Sequence, residues 1–88
     1  MKTASRVIIL NQGKVLLIHR LKKGKEYYVL PGGSIEKGET PREAATREIK
    51  EETNFDLELD KLLWKIKERV KGEVKLGYYF LAKSFTGD

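Results

Sequence analysis

The glutamates Glu48, Glu51 and Glu52 are the residues of this sequence whose spacing most clearly suggests chemistry. If they lie on a helix, the spacing i, i+3 and i+4 puts all three carboxylates on one face within a turn. Like charges so placed repel one another. A hard divalent cation would offset that repulsion, since Mg²⁺ takes oxygen ligands, retains some of its waters and bridges to substrate phosphates. Mn²⁺ could take the same place.

The same three glutamates also allow a purely structural interpretation. Arg47 lies four residues after Glu43 and four before Glu51, so helical ion pairs can form on both sides of it. Together with Arg42 and Lys50, these pairs would balance an exposed acidic face without any metal. The spacing of the glutamates alone therefore leaves both interpretations open.

The residues around the glutamates predict the helix that must carry them. Thr40 can cap the first turn, Pro41 suits the first helical position, and Glu43 completes a capping box. The helix should continue to about Thr53, because Asn54 tolerates the left-handed conformation that ends many helices.

Short aliphatic and aromatic segments on both sides of this helix predict strands. Residues 7–10 and 15–18 suggest a β-hairpin around Gly13, and residues 27–30 a further strand before a glycine-punctuated loop at 32–39. After the helix, residues 57–70 and 73–83 suggest two strands joined at Lys71 and Gly72, the second with a two-residue alternation. This order predicts an α+β fold with a mostly antiparallel or mixed sheet.

Composition excludes several other classes of protein. The 88 residues include no cysteine, which rules out disulfide scaffolds, thiolate metal sites and cysteine nucleophiles, and His19 alone cannot build a zinc site. The apolar run at residues 7–10 is too short for a signal-peptide core or a membrane span, so we expect a cytoplasmic protein without a membrane partner. The net charge of +5 suits a polyanionic partner, although a solvated lysine-rich surface would give the same value.

The glutamates belong to a longer pattern that resembles the Nudix box. That box reads G-x5-E-x7-R-E-U-x-E-E-x-G-U, where U is apolar, and it is matched over residues 33–55 by Gly33, Glu39, Arg47, Glu48, Ile49, Glu51, Glu52 and Phe55. Asn54 stands where the family has glycine, and it can adopt the same helix-ending conformation. The segment from Leu30 to Gly33 that precedes the box is also typical of the family.

The resemblance implies a Nudix-like mixed sheet with the Nudix helix on one face, and a Mg²⁺-dependent pyrophosphohydrolase. Its substrate would be a nucleoside diphosphate linked to another group, cleaved at a phosphoanhydride. The implied metal ligands are Glu48, Glu51, Glu52 and the backbone carbonyl of Gly32. Arg47 and Glu39 would orient the loop and the carboxylates, and Gly32 and Gly33 would let the backbone approach metal and phosphates closely.

The residues that would bind the substrate follow less directly from the sequence than the metal ligands do. Arg20 and Lys23 lie before the box and could contact phosphates, as could their neighbours His19, Lys22 and Lys25, although a solvated basic loop is an alternative. An RNA 5′ end is a second substrate class that these cations would suit. A different kind of function is also open, namely a non-catalytic Nudix-like module that binds a nucleotide or an RNA end.

The resemblance also implies that residues 1–88 are the N-terminal part of a single Nudix-type domain. Domains of this family generally continue with another strand and a second helix that covers the opposite sheet face. A sheet with one helix would leave apolar surface exposed, so we expect self-association or a further segment that covers it. One helix is expected to be too small to bury all of the following residues: Val7, Ile9, Leu16, Ile18, Tyr78 and Phe80.

Overall fold

The helix α1 begins and ends where the sequence predicts. In the computed structural model, which describes residues 1–87, α1 spans Pro41–Thr53. The Thr40 hydroxyl accepts from the Glu43 amide at 3.1 Å, and the Glu43 carboxylate accepts from the Thr40 amide at 2.8 Å. Such a cap stabilises a helix by about 1 kcal/mol. Asn54 ends the helix at φ 64°, donating its backbone N–H to the carbonyl of Lys50.

A four-stranded mixed sheet packs against this helix and confirms the predicted α+β class. Its strands are β1 (Lys2–Ile8), β6 (Gly32–Ser34), β7 (Asp56–Val70) and β8 (Glu73–Thr86), in the order β6-β1-β8-β7. Strand β1 is antiparallel to β6 and parallel to β8, whereas β7 and β8 form a long antiparallel hairpin. The central position of β1 is what brings the residues before the helix into the same sheet as those after it.

Four short strands form two separate hairpins. They are β2 (Leu10–Asn11) with β3 (Lys14–Val15), and β4 (Ile18–Lys22) with β5 (Lys25–Val29). The hairpin predicted for residues 7–10 and 15–18 is shorter than expected. Val7 lies outside it, because Val7 pairs with Phe80 in the main sheet. The polar loop predicted around Lys23 is only a two-residue turn, formed by Lys23 and Gly24 with positive φ.

The loop predicted for residues 32–39 begins as a strand. Gly32, Gly33 and Ser34 pair with β1. The two glycines had suggested a loop at these positions and not a strand. A Cβ on Gly32 would lie 2.0 Å from the carbonyl oxygen of Ser5. Glycine is thus required here for close approach of two backbones, and its presence does not mark a flexible loop.

The core lies between the sheet and α1. Val7, Ile9 and Phe80 are buried against Ala45 and Ile49 of the helix. The expectation that these strand residues would exceed the cover of one helix holds in part: Val7, Ile9 and Phe80 are buried, whereas Leu16, Ile18 and Tyr78 stay partly exposed. Leu16 and Tyr78 pack against the buried cluster, and Val7 and Phe80 share the cover of the helix because β1 and β8 are neighbours.

The sheet face opposite α1 carries part of the exposed apolar surface. Tyr79 is the neighbour of the buried Phe80 in β8, so its side chain points to the face away from the helix, and it pairs with Trp64 of β7. Trp64 and Ile66 are about half exposed, at 54% and 45%. An apolar surface of this kind favours association.

We expect the 88-residue chain to self-associate through this face. Sedimentation velocity should show an average mass that rises with concentration, and Trp64→Gln should shift the species toward monomer because it removes the largest exposed apolar side chain. Leu21→Gln is the control, since Leu21 is more exposed, at 71%, but lies on the separate β4–β5 hairpin. A strictly monomeric species at every concentration would contradict the prediction.

Candidate active site

Two of the three glutamates lie against the glycines of β6. The backbone N–H of Gly32 donates to Oε1 of Glu52 at 2.8 Å. A Cβ on Gly33 would lie between 2.5 and 2.7 Å from the three atoms of the Glu48 carboxylate, so only glycine leaves room for that group. Strand β6 and the last turns of α1 therefore enclose the Glu48 and Glu52 carboxylates between backbone and helix.

One guanidinium, that of Arg47, links the loop to the helix. Its Nε and Nη2 donate to the two carboxylate oxygens of Glu39, at 2.7 and 2.9 Å. Nη1 donates to Glu48 at 3.1 Å and to Glu51 at 3.0 Å, and Nη2 also reaches the Ser34 carbonyl at 3.0 Å. The planar fork of arginine allows this many simultaneous bonds, which a lysine could not reproduce.

These bonds shift the ionisation of both partners. The hydrogen bond from Arg47 lowers the pKa of the Glu39 carboxyl below its ordinary value of 4.5, and the backbone N–H of Glu36 lowers it further. The bonds to Glu39 and Glu51 in turn raise the pKa of Arg47. At neutral pH both Arg47 and Glu39 are therefore charged.

Arg20 reaches the site from the β4–β5 hairpin. Its Nη2 donates to Oε2 of Glu52 at 2.9 Å, so both oxygens of Glu52 have a partner. Lys23, the other cation expected to bind substrate, lies in the turn at the end of the hairpin. The structure brings Arg20 to the glutamates and leaves Lys23 at the tip, three positions further along the chain.

Arg6 is a site residue that the sequence analysis missed. Its Nη1 donates to the carbonyl of Gly32 at 3.0 Å and to that of Leu30 at 3.2 Å. It lies on β1, and its approach to the loop follows from the pairing of Arg6 with Gly32. The sequence offers no local signal for this contact, because residues 6 and 32 are far apart in the chain.

The oxygen atoms of the site are of the kind that bind hard cations. In this structure, each of the groups that carry them accepts a hydrogen bond from an arginine. Within residues 1–87, no three carboxylate or imidazole groups stand close enough together to hold an ion. Glu51 leans out toward Arg47 and is 57% exposed, while Glu48 and Glu52 remain beside the glycines. The donors are all carboxylate or carbonyl oxygens, the ligand type that Mg²⁺ prefers.

The fold defines a known class of domain. It matches the crystal structure of the MutT NUDIX hydrolase from Burkholderia pseudomallei with a TM-score of 0.85 and 29% sequence identity, over 99% of this chain and 70% of that one. The family model of the NUDIX domain matches residues 1–88. The chain therefore belongs to the NUDIX domain family, as the box over residues 33–55 predicts.

Its relatives act on different substrates. The chain is 47% identical to the ADP-ribose pyrophosphatase of Methanocaldococcus jannaschii over 57 residues, which are 64% of this chain and 34% of that protein. It is 43% identical to the RNA pyrophosphohydrolase of Roseobacter denitrificans over 54 residues, 60% of this chain and 34% of that protein. The chain spans between 23% and 44% of the length of the curated relatives it matches. Among residues 1–87, no helix is both long and apolar enough to cross a membrane.

The lowered pKa of Glu39 predicts a pH-dependent stability. Because the folded-state pKa lies below the unfolded value, the Arg47–Glu39 interaction stabilises the fold above about pH 4.5 and is lost as the pH falls through the folded pKa. Glu39→Gln should therefore lower Tm at neutral pH, and the difference from the unmodified protein should shrink in acid.

Thermal unfolding monitored by circular dichroism between about pH 7 and pH 3 measures this effect. Glu68→Gln is the matched control, since Glu68 is an exposed strand residue without an ion pair in the described part of the chain. A Tm difference between Glu39→Gln and the unmodified protein that stayed constant over the whole pH range would refute the prediction.

Proposed function

We propose that this chain is the metal-binding part of a Mg²⁺-dependent pyrophosphohydrolase, with Mn²⁺ as an alternative ion. The substrate is a nucleoside diphosphate linked to another group, of the nucleotide or nucleotide-sugar type, and the reaction cleaves its phosphoanhydride. The observation that supports this most is the position of Glu48 and Glu52 against Gly32 and Gly33. The relative named as an ADP-ribose pyrophosphatase supports the reaction class.

In this proposal each group of the site has a separate task. Glu48, Glu51 and Glu52 hold the cation together with the carbonyl of Gly32. When bound, a divalent cation neutralises phosphate oxygens and lowers the pKa of a water that attacks phosphorus. Arg47 and Glu39 fix the helix against the loop, and the absence of a side chain on Gly33 leaves the space that the Glu48 carboxylate occupies beside the backbone.

Substrate contacts are assigned to the cations nearest the glutamates. Arg20 is within hydrogen-bond distance of Glu52, so it would be available to a phosphate that approaches this ligand, and guanidinium binds phosphate in a bidentate manner. Lys23, at the hairpin tip, is placed for a peripheral contact with a larger substrate.

Removing a metal ligand should abolish turnover. In the intact protein we expect Glu52→Gln and Glu51→Gln to lower kcat by about two orders of magnitude or more, because the attacking water loses its activation. Phosphate release from a nucleotide panel with Mg²⁺ measures this, and Glu68→Gln serves as the control for loss of one exposed carboxylate.

The outcomes separate the two classes of function. Near-normal turnover in both variants would show that the hydrolase mechanism is wrong. Nucleotide or RNA-end binding by the intact protein without any turnover would support the non-catalytic module instead.

An RNA 5′ end is the second candidate substrate, and the register of the β4–β5 hairpin favours it. Arg20 pairs with Tyr27 and Lys22 pairs with Lys25. Residues two apart share a face, so Lys22 and Lys25 lie on the same face as Arg20, one step further from the glutamates. Exposed cations and an aromatic ring in a row suit a nucleotide chain that extends beyond its terminal phosphates.

This candidate predicts a selective loss of binding to long substrates. The double variant Lys22→Gln/Lys25→Gln should weaken binding of a 5′-triphosphorylated oligonucleotide. It should also reduce the number of counterions released on binding, read from the salt dependence of the affinity, by about one to two. Binding of a nucleoside triphosphate should change much less. Lys67→Gln/Lys71→Gln removes the same charge from the β7–β8 hairpin and is the control.

Fluorescence anisotropy across a range of salt concentrations measures both affinities. An equal loss for the oligonucleotide and the mononucleotide, or an equal loss in the control variant, would argue against an RNA-binding face.

A further inference from the structure

The ion pair between Arg20 and Glu52 occupies an oxygen that the proposed metal needs. We propose that Arg20 is an exchangeable counter-ion: it holds Glu52 when no metal is bound, and it turns to a substrate phosphate when Glu52 binds the metal. This inference rests on the proposed function, because it assumes that Glu52 is a metal ligand. It adds that metal binding and phosphate binding are coupled through one side chain.

The two oxygens of Glu52 differ in how easily they can be released. Oε1 accepts from the backbone N–H of Gly32, and Gly32 is buried between β1 and α1. Removing that acceptor would leave a buried N–H without a partner, which is costly. Within the part of the chain that the structure describes, Oε2 is held by Arg20 alone, so it is the oxygen that Glu52 can offer to a metal without disturbing the backbone.

Arg20 is also the arginine of the site that can leave most readily. Its side chain is 43% exposed, and Glu52 is its one hydrogen-bond partner within residues 1–87. Arg47, by contrast, bonds to Glu39, Glu48, Glu51 and the Ser34 carbonyl. Strands β4 and β5 pair only with each other in the described structure, so the hairpin can shift without breaking the main sheet.

Charge favours the exchange. A guanidinium stays protonated over the ordinary pH range, so it cannot give up its charge to admit a cation. The Glu52 side chain is only 15% exposed, so a metal and the Arg20 guanidinium on the same shielded carboxylate oxygen would repel each other. A metal at Oε2 therefore weakens the bond from Arg20 to that oxygen.

The released side chain has a nearby destination. An open cleft of about 340 Å³ lies beside it, lined in part by Tyr27, Gly33 and Glu48. A substrate phosphate that bridges to the metal would enter this cleft next to Arg20, and a guanidinium pairs well with phosphate oxygens. The metal would then favour the phosphate, and by linkage the phosphate would favour the metal to the same degree.

The coupling can be measured without catalysis. Mn²⁺ affinity of the intact protein, followed by electron paramagnetic resonance, is compared with and without a non-hydrolysable methylene analogue of a nucleoside diphosphate. Without the analogue, Arg20→Gln should bind Mn²⁺ more tightly than the unmodified protein, by about 5- to 10-fold, because the competing cation is gone. With saturating analogue, the unmodified protein should gain affinity for Mn²⁺ and the variant should gain much less.

Three further variants make the result specific. Lys37→Gln removes an exposed positive charge from the loop before α1 that makes no ion pair among residues 1–87, so it should change Mn²⁺ affinity little. Arg20→Lys should restore part of the coupling, since it keeps the charge but loses the planar fork. Glu52→Gln should weaken Mn²⁺ binding whether or not Arg20 is present.

The possible failures are distinguishable. If Arg20→Gln binds Mn²⁺ with unchanged or lower affinity while Glu52→Gln still weakens binding, the exchange is wrong and the metal site stands. A change in Lys37→Gln as large as that in Arg20→Gln would also overturn the exchange, because it would show a general effect of charge. If Glu52→Gln leaves Mn²⁺ affinity unchanged, the metal site of the proposed function is wrong, and the exchange fails with it.

Discussion

Neutralisation of crowded carboxylates by Arg47 is the interaction on which the rest of this site depends. Glu48 and Glu51 lie on one helical turn, and Glu39 approaches them from the preceding loop. Without a cation between them, these groups would repel one another and the loop would lose its attachment to the helix. The bond from Arg47 to the Ser34 carbonyl also fixes β6, and β6 carries the two glycines that contact Glu48 and Glu52.

A wider pattern follows from this arrangement, in which an arginine binds each group assigned to the metal. Arg47 holds Glu48 and Glu51, Arg20 holds Glu52, and Arg6 holds the carbonyl of Gly32. Glu52 is thus bound by a different guanidinium from Glu48 and Glu51. In the proposed function, binding of a divalent cation replaces some of these contacts, so the site exchanges one set of positive charges for another.

Local features of the fold could be predicted from the sequence, whereas the long-range ones could not. The limits of α1 follow from Thr40, Glu43 and Asn54, whose roles depend only on near neighbours. The β7–β8 hairpin follows from the turn at Lys71 and Gly72 and from the alternation in the strand after it. The parallel pairing of β1 with β8 joins residues that are more than 70 positions apart, for example Thr3 with Leu76, and no local pattern encodes it. Strand β6 was missed for a related reason, since its glycines are explained only by the closeness of Ser5.

The residues of the site likewise divide into those that local sequence predicts and those that depend on long-range pairing. The spacing of Glu48, Glu51 and Glu52 and the family pattern place the glutamates, Arg47 and Glu39 together, because all lie within the loop and helix of one continuous segment. Arg6 reaches the site through sheet pairing, and the register of a hairpin decides that Arg20 rather than Lys23 meets Glu52. Those two facts needed the three-dimensional structure.

The central claim is that the glutamates of α1 and the glycines of β6 form one site for a divalent cation. The most direct measurement is paramagnetic broadening by Mn²⁺ of the backbone amide signals of the isotope-labelled intact protein. The account predicts that substoichiometric Mn²⁺ broadens the signals of Gly32, Gly33 and the last turn of α1 first, and leaves those of Lys71 and Gly72 sharp. It also predicts that Glu52→Gln removes this selectivity. Broadening that is uniform, that centres on another part of the chain, or that persists unchanged in Glu52→Gln would contradict the account.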